Sequence, residues 1–243
     1  MDLQRIIPIL IVWILSGAAH SEPLKSAVSP DFPKGLHFHY LKYIEEKLAT
    51  PVEISQMPFA RRIYSLESGD IDMMVGLQAG REGKFIYVFP AYESLTHTLF
   101  VRRENVSKID SKEALYHAVI AFTRQGRYSD TLLSMPQAFQ INVESLDQKI
   151  AMLMHHRIDG FVHFSDSARS RIHVQGVQND IVESAYQPEQ AHNFHLAIRR
   201  GLPVRLQARL TRIVSEGIAA GNFADIREAY YSDNQPVLNV PSE

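Results

Sequence analysis

Two stretches of this chain carry the same order of apolar and polar positions. In the first, Phe59, Ile63 and Leu66 stand at i, i+4 and i+7, one apolar stripe of a helix. In the second, Leu146, Ile150 and Leu153 occupy the equivalent places. Each stripe runs into a similar segment, LESGDIDMMVG at 66–76 and LMHHRIDGFVH at 153–163. The Ile-Asp pairs at 71–72 and 158–159 set the alignment, and the same offset aligns the two helices. Pro58 suits a first helical turn. Ser145 with Gln148 resembles a capping box. Gly69 is well placed to end the first helix. Short β-prone pieces precede the helices at 52–54 and 139–143, and others follow at 71–75 and 160–164. Each unit therefore predicts strand, helix, strand. A crossover of that size implies a parallel pair with a right-handed connection. Two such units far apart in sequence predict two similar α/β lobes, each a mostly parallel sheet flanked by helices.

The remaining pattern fits this plan. Residues 24–28 predict a first strand. Residues 36–49 predict a helix burying Leu41, Ile44 and Leu48. A short strand is expected at 99–102, leading to a polar stretch at 103–108 that would cross between the lobes. Residues 119–122 predict a buried strand, followed by a loop at 123–128. Pro203 opens a helix burying Leu206, Leu210 and Ile213, with Gly221 as its stop. The tail from Ser232 is polar and contains proline.

The start of the chain adds a compartment. Residues 1–5 are polar with one basic residue, 6–15 are almost wholly apolar around Pro8, and Ser16, Gly17, Ala18 and Ala19 are small. That order predicts an export signal cleaved after Ala19 or Ser21. The apolar run falls short of the roughly 20 residues of a membrane-spanning helix. The expected division is a signal at 1–21, the first part of lobe 1 at 22–104, lobe 2 at 105–192, and a return to lobe 1 with the tail at 193–243. A periplasmic monomer follows as the expectation.

Composition narrows the chemistry. The chain has no cysteine, so a disulfide framework and a thiolate metal site are excluded. Its formal net charge is −2, and Lys and Arg are scattered rather than striped, which argues against nucleic acid. The histidine pairs 37/39, 155/156 and 192/195 raise the question of a metal. The first lies in a predicted helix, where i and i+2 do not share a face, and no His-Glu-x-x-His run is present. No metal or cofactor is expected.

The run MPFARR at 57–62, LESGDID at 66–72, Arg81 and YVFPAY at 87–92 resembles the first lobe of family 3 extracellular solute-binding proteins. HRIDGFV at 156–162 resembles their second-lobe signature. NFHLAI at 193–198 resembles the return into the first lobe, and GNFADI at 221–226 with Tyr230 resembles the closing helix. The resemblance covers nearly all of the chain after the signal. It implies a two-lobed periplasmic-binding-protein fold of type II, a ligand cleft between the lobes, and the work of a polar-amino-acid importer's binding component. The partners implied are a small molecule and an inner-membrane ABC permease or a sensor receptor.

The resemblance also assigns site residues. Arg81 occupies the place where the family clamps a ligand carboxylate, a task suited to the guanidinium fork. The loop TRQGRYS at 123–129 stands where the family uses a Gly-Thr turn at a helix N-terminus, and Arg124 and Arg127 add charge there. With Arg61, these arginines predict a cationic cleft and an anionic, carboxylate-bearing ligand. Gln78 completes the first-lobe set, and Phe32 and Phe59 are candidate aromatic walls. Two positions depart from the family. Gly76 replaces a Ser or Thr five residues before the arginine. Phe164 replaces the acid that holds a ligand ammonium; Asp166 lies two residues on and Phe164 is free to stack on the ligand.

Some relatives on this scaffold are dehydratases, for which Glu93 or His163 would be the candidate acid or base. No nucleophile–base pair or metal signature supports that alternative, so binding without catalysis is expected. Asp72 and Asp159 stand on equivalent strand starts. Their expected role is structural, accepting turn or helix N–H groups.

Overall fold

Local sequence sets the first elements as expected. The computed structural model describes residues 22–188 and 191–233; the predicted export signal and most of the tail lie outside them. The chain runs β1 (Leu24–Val28), α1 (Leu36–Leu48), β2 (Val52–Gln56), α2 (Phe59–Ser68), β3 (Met73–Gln78) and β4 (Phe85–Arg102). Then follow α3 (Lys112–Leu115), β5 (Ile120–Thr123), α4 (Asp130–Leu133), β6 (Gln140–Val143), α5 (Leu146–Met154), β7 (Gly160–Phe164) and α6 (Ser165–Val174). The last elements are β8 (Ile181–Glu183), β9 (Ala191–Arg199), α7 (Val204–Ala219) and α8 (Asn222–Asp233).

Helix ends obey their caps. Gly69 follows α2 with φ of 84°, a left-handed position that costs a glycine little. Ser145 Oγ accepts from the N–H of Gln148 at 3.0 Å. The side chain of Gln148 reaches the N–H of Glu144 rather than of Ser145, at 3.4 Å, so the predicted box closes one residue early. α1 buries Tyr40, Leu41, Ile44 and Leu48, each worth about 1.5–3 kcal/mol of apolar burial.

The two repeats fold alike, with one correction. β2 and β3 do not pair directly, nor do β6 and β7. β1 pairs in parallel with β2 and meets β3 through hydrogen bonds such as Ser26 Oγ to the Met73 carbonyl at 2.8 Å. β5 pairs in parallel with both β6 and β7. In each unit the helix thus crosses over an intervening strand, β1 in the first and β5 in the second. Apolar side chains cover both faces of each sheet. Leu41, Val75 and Leu196 lie on one face in the first lobe, and Ile63, Leu66 and Met74 on the other. In the second lobe Val101, Ile120 and Val162 lie on one face, and Phe100, Ile150 and Phe161 on the other.

The crossing between lobes also differs from the expectation. β4 is one long strand, not a short one at 99–102. It pairs with β9 as far as Thr96 and with β7 from His97 onward. The change of partner falls at Thr96–His97, so the crossing is a strand rather than the polar stretch at 103–108. The reason is burial: His97, Thr98, Leu99, Phe100 and Val101 are all buried, and buried backbone needs ladder partners. Arg103 is already held in the second lobe, its Nε donating to the Asn179 carbonyl at 2.6 Å.

Candidate functional site

A cleft of about 310 Å³ opens between the lobes, at the point where β4 changes partners. Its walls come from the loop after β1, the start of α1 and α2, the end of β3, the middle of β4, the loop after β5, the end of β7 and α8. Phe32, Phe59, Gln78, Arg81, Arg127 and Phe164 line it. Arg61 and Arg124 do not. The Arg61 guanidinium lies over the exposed ring of Tyr64, 5.0 Å from its centroid. Arg124 pairs with Glu144 at the surface.

Bonds across the cleft occupy the other two predicted arginines. Arg81 donates to the Gln125 carbonyl and side chain. Arg127 Nη1 donates to the Gly80 carbonyl at 2.6 Å. Asp31 accepts from the N–H of Leu146 at the head of α5, at 2.8 Å. Arg227 of α8 bridges Glu93 on β4 and Asp166 on α6. The lobes are therefore latched from both sides. Asp166 is committed to Arg227 in this arrangement and does not stand in as a free acid.

The cleft is not strongly cationic, which corrects the sequence expectation. Arg62, Arg81, Arg127 and Arg227 line it, but so do Asp31, Glu93, Glu144 and Asp166. Three amides of the loop after β5 are already engaged. The N–H of Thr123 donates to the Tyr128 hydroxyl at 2.8 Å, that of Arg124 to the Val143 carbonyl and that of Gly126 to the Thr123 carbonyl. The Ser129 side chain caps the four-residue α4.

Arg62 is the residue that sequence reasoning missed. It is only 5% exposed, and among the described residues neither its Nε nor its Nη1 finds an acceptor. Its guanidinium lies 5.3 Å from the centre of the Phe59 ring. Burial pulls its pKa down to about 10, so it remains charged at neutral pH. The signal was present in the spacing: Arg62 stands three residues after Phe59 and four before Leu66, inside the apolar stripe.

Glu93 is its counterpart of opposite sign. Its side chain is 6% exposed. Oε1 accepts from Arg227 and from the Tyr40 hydroxyl, while Oε2 is buried without a partner among the described residues. Burial raises its pKa against the opposing pull of Arg227.

The two departures from the family now have structural causes. Gly76 has φ of 83°, and a Cβ there would lie 2.3 Å from His37 Cε1. The imidazole from α1 thus fills the space that a side chain at 76 would take. Burial holds His37 neutral, with its pKa lowered to about 3. Phe164 stacks on His97, centroids 4.2 Å apart and 18° between planes, and meets Phe194 edge-on at 5.1 Å. It forms an aromatic floor where the lobes join. Among the described residues no cluster of three or more His, Asp or Glu is placed to hold a metal.

Residues 15–233 match the profile of bacterial extracellular solute-binding proteins, family 3. The chain belongs to this family. No match was found among curated protein sequences. Solved structures share the architecture of this solute-binding protein. An amino acid ABC transporter substrate-binding protein from Streptococcus pneumoniae, AbpA bound to L-arginine, is 15% identical with a TM-score of 0.75, covering 87% of this chain and 95% of that one. A mutant of ArgBP from T. maritima is 19% identical with a TM-score of 0.74, covering 86% and 95%. A histidine kinase sensor domain with similarity to periplasmic binding proteins is 17% identical with a TM-score of 0.71, covering 87% and 96%. At these identities the likeness establishes the two-lobed fold. Among the described residues no helix is long and apolar enough to cross a membrane.

Proposed function

We propose that this solute-binding protein captures a small carboxylate-bearing solute, an amino acid, between its lobes and performs no chemistry on it. The observation that carries this reading is the buried guanidinium of Arg62 at the cleft wall, with two nitrogens unpartnered among the described residues. A buried charge without a partner is costly, and an entering carboxylate repays it with charge-assisted hydrogen bonds. Glu93 Oε2 supports the amino acid over a simple acid, because it is a buried acceptor suited to a ligand ammonium. In this reading the acid at Phe164's place in the family is relocated to β4. Arg81 and Arg127 stabilise the closed form instead of clamping the ligand directly. Relatives of similar fold bound to L-arginine or glutamine agree with this ligand class.

Closure over the guest fits delivery to a membrane permease or to a sensor, since either partner reads the closed form. The export pattern at the start of the chain and the extracellular family support a site of work outside the cytoplasm. A thermal-shift screen of L-amino acids and their 2-oxo and 2-hydroxy acid counterparts tests the reading. At least one amino acid is expected to stabilise the protein more than its counterparts lacking the amino group. Arg62→Met is expected to weaken that ligand about 10- to 100-fold. Undiminished affinity in that variant, or no stabilisation by any compound, ends the proposal.

A further inference from the structure

Behind the second-lobe wall of the cleft lies a lysine that forms no ion pair among the described residues. Lys149 of α5 is fully buried. Its Nζ donates to Thr123 Oγ1 at 2.6 Å and to the Val162 carbonyl at 2.7 Å. Thr123 lines the cleft; Lys149 stands one layer behind it. A hydroxyl oxygen that accepts from an ammonium cannot point its own proton back at that donor. When Lys149 is charged, the Thr123 hydroxyl proton is therefore turned away from it and can be offered to an acceptor in the cleft that Thr123 lines.

We infer that Lys149 is a positioning residue that makes Thr123 a fixed donor for a second anionic group of the ligand, and that binding takes up a proton at Lys149. The inference rests on the amino-acid reading above and narrows it to solutes with a second carboxylate. The carboxylate near Arg62 would be one end of the guest, and the group against Thr123 the other.

The electrostatics around Lys149 agree. The groups that act on it are His163 on β7 and His97 on β4, both held neutral by burial, and Asp31 across the cleft. Asp31 is the only acid among them, and it is engaged with the head of α5. Burial lowers the Lys149 pKa to about 7, so near neutral pH the amine is only partly charged. An anion against Thr123 favours the charged form and draws a proton in.

Calorimetric titration of the protein with L-glutamate, L-aspartate, L-glutamine, L-asparagine and succinate, in phosphate and in Tris at pH 6, 7 and 8, tests this. An acidic amino acid is expected to bind more tightly than its amide. Its affinity should fall as pH rises past 7, by up to about tenfold per unit, and the heats in the two buffers should report proton uptake. Lys149→Met should remove both the slope and the uptake. Thr123→Val, which leaves the lysine in place, should weaken the acidic ligand at least tenfold and its amide little. Circular dichroism checks that both variants fold.

Affinity that stays flat from pH 6 to 8, or a slope that survives in Lys149→Met, overturns the subsite. So does preference for the amide. If L-glutamine or L-asparagine binds in an Arg62-dependent way without pH dependence, the subsite fails and the proposed function stands. If none of these probes binds, the subsite fails as well, and the wider thermal-shift screen decides the proposed function.

Discussion

Asp159 Oδ2 accepts a hydrogen bond from the backbone N–H of Val119 at 2.8 Å, just before the central strand of the second lobe. Asp72 Oδ2 makes the same bond at 2.8 Å with the N–H of Lys25, in the intervening strand of the first. The reverse bonds repeat too, from the N–H of each aspartate to the carbonyl of the same partner, at 2.8 Å in both. These reciprocal pairs pin the strand after each crossover helix to the strand that the helix passed over. Neither aspartate lines the cleft. Asp159→Ala is expected to cost about 1–3 kcal/mol by orphaning a backbone donor, with ligand affinity unchanged. Urea unfolding and a binding isotherm on the same sample check both halves; lost affinity without lost stability would contradict the assignment.

Gly76 and His37 form a coupled pair. Gly76→Ser restores the family's residue type, yet its Cβ would collide with the imidazole and sit at positive φ. A loss of about 1–3 kcal/mol is expected from overpacking and strain. His37→Ala removes the collision but not the backbone strain, so the double variant should recover part of the loss. A double-mutant cycle on the melting temperature measures the coupling. Additive effects would show that the ring is not what excludes the side chain.

The bonds across the cleft predict how the protein opens. Arg227 holds Glu93 and Asp166 at once, and it is about one quarter exposed. Only the pair with Asp166 joins the lobes, and a partly exposed pair contributes about 1 kcal/mol or less, so Arg227→Met should shift the closed–open balance by less than about tenfold. Combined with Arg81→Ala, which frees the Gln125 loop, the shift should be large enough to raise the radius of gyration in small-angle scattering. An unchanged radius in the double variant would mean that apolar contacts, such as Phe32 against the second-lobe core, hold the lobes by themselves.

Stability should depend on pH through Lys149 even without ligand. Its folded pKa, about 7, lies below the ordinary lysine value of 10.5. Between those values the unfolded chain binds the proton more strongly, so stability rises with pH across that window. The penalty is complete below it. Lys149→Met is expected to be more stable than the parent at pH 6 and to lose that advantage toward pH 10. Thermal melts at both pH values decide it; a parallel dependence in the two proteins would place the titration elsewhere.

The amino-acid order by itself determined the repeated strand–helix–strand units, most helix ends and the structural role of the two aspartates. All of these rest on local physics: helical period, capping side chains and left-handed glycines act over a few residues. It did not determine that a strand intervenes within each crossover, because pairing order depends on which distant segments meet. Nor did it place the passage between lobes, which burial of 97–101 turned into a continuous strand. The site was legible only in part. Phe32, Phe59, Gln78, Arg81, Arg127 and Phe164 do reach the cleft, but Arg61 and Arg124 turn to solvent while Arg62 turns in. The choice between neighbouring arginines follows from the rotation of α2 about its axis, set by packing of Ile63 and Leu66 on the sheet. Which groups find partners was decided in part by the meeting of the two lobes, since the Arg227–Asp166 and Arg81–Gln125 bonds form only across the cleft.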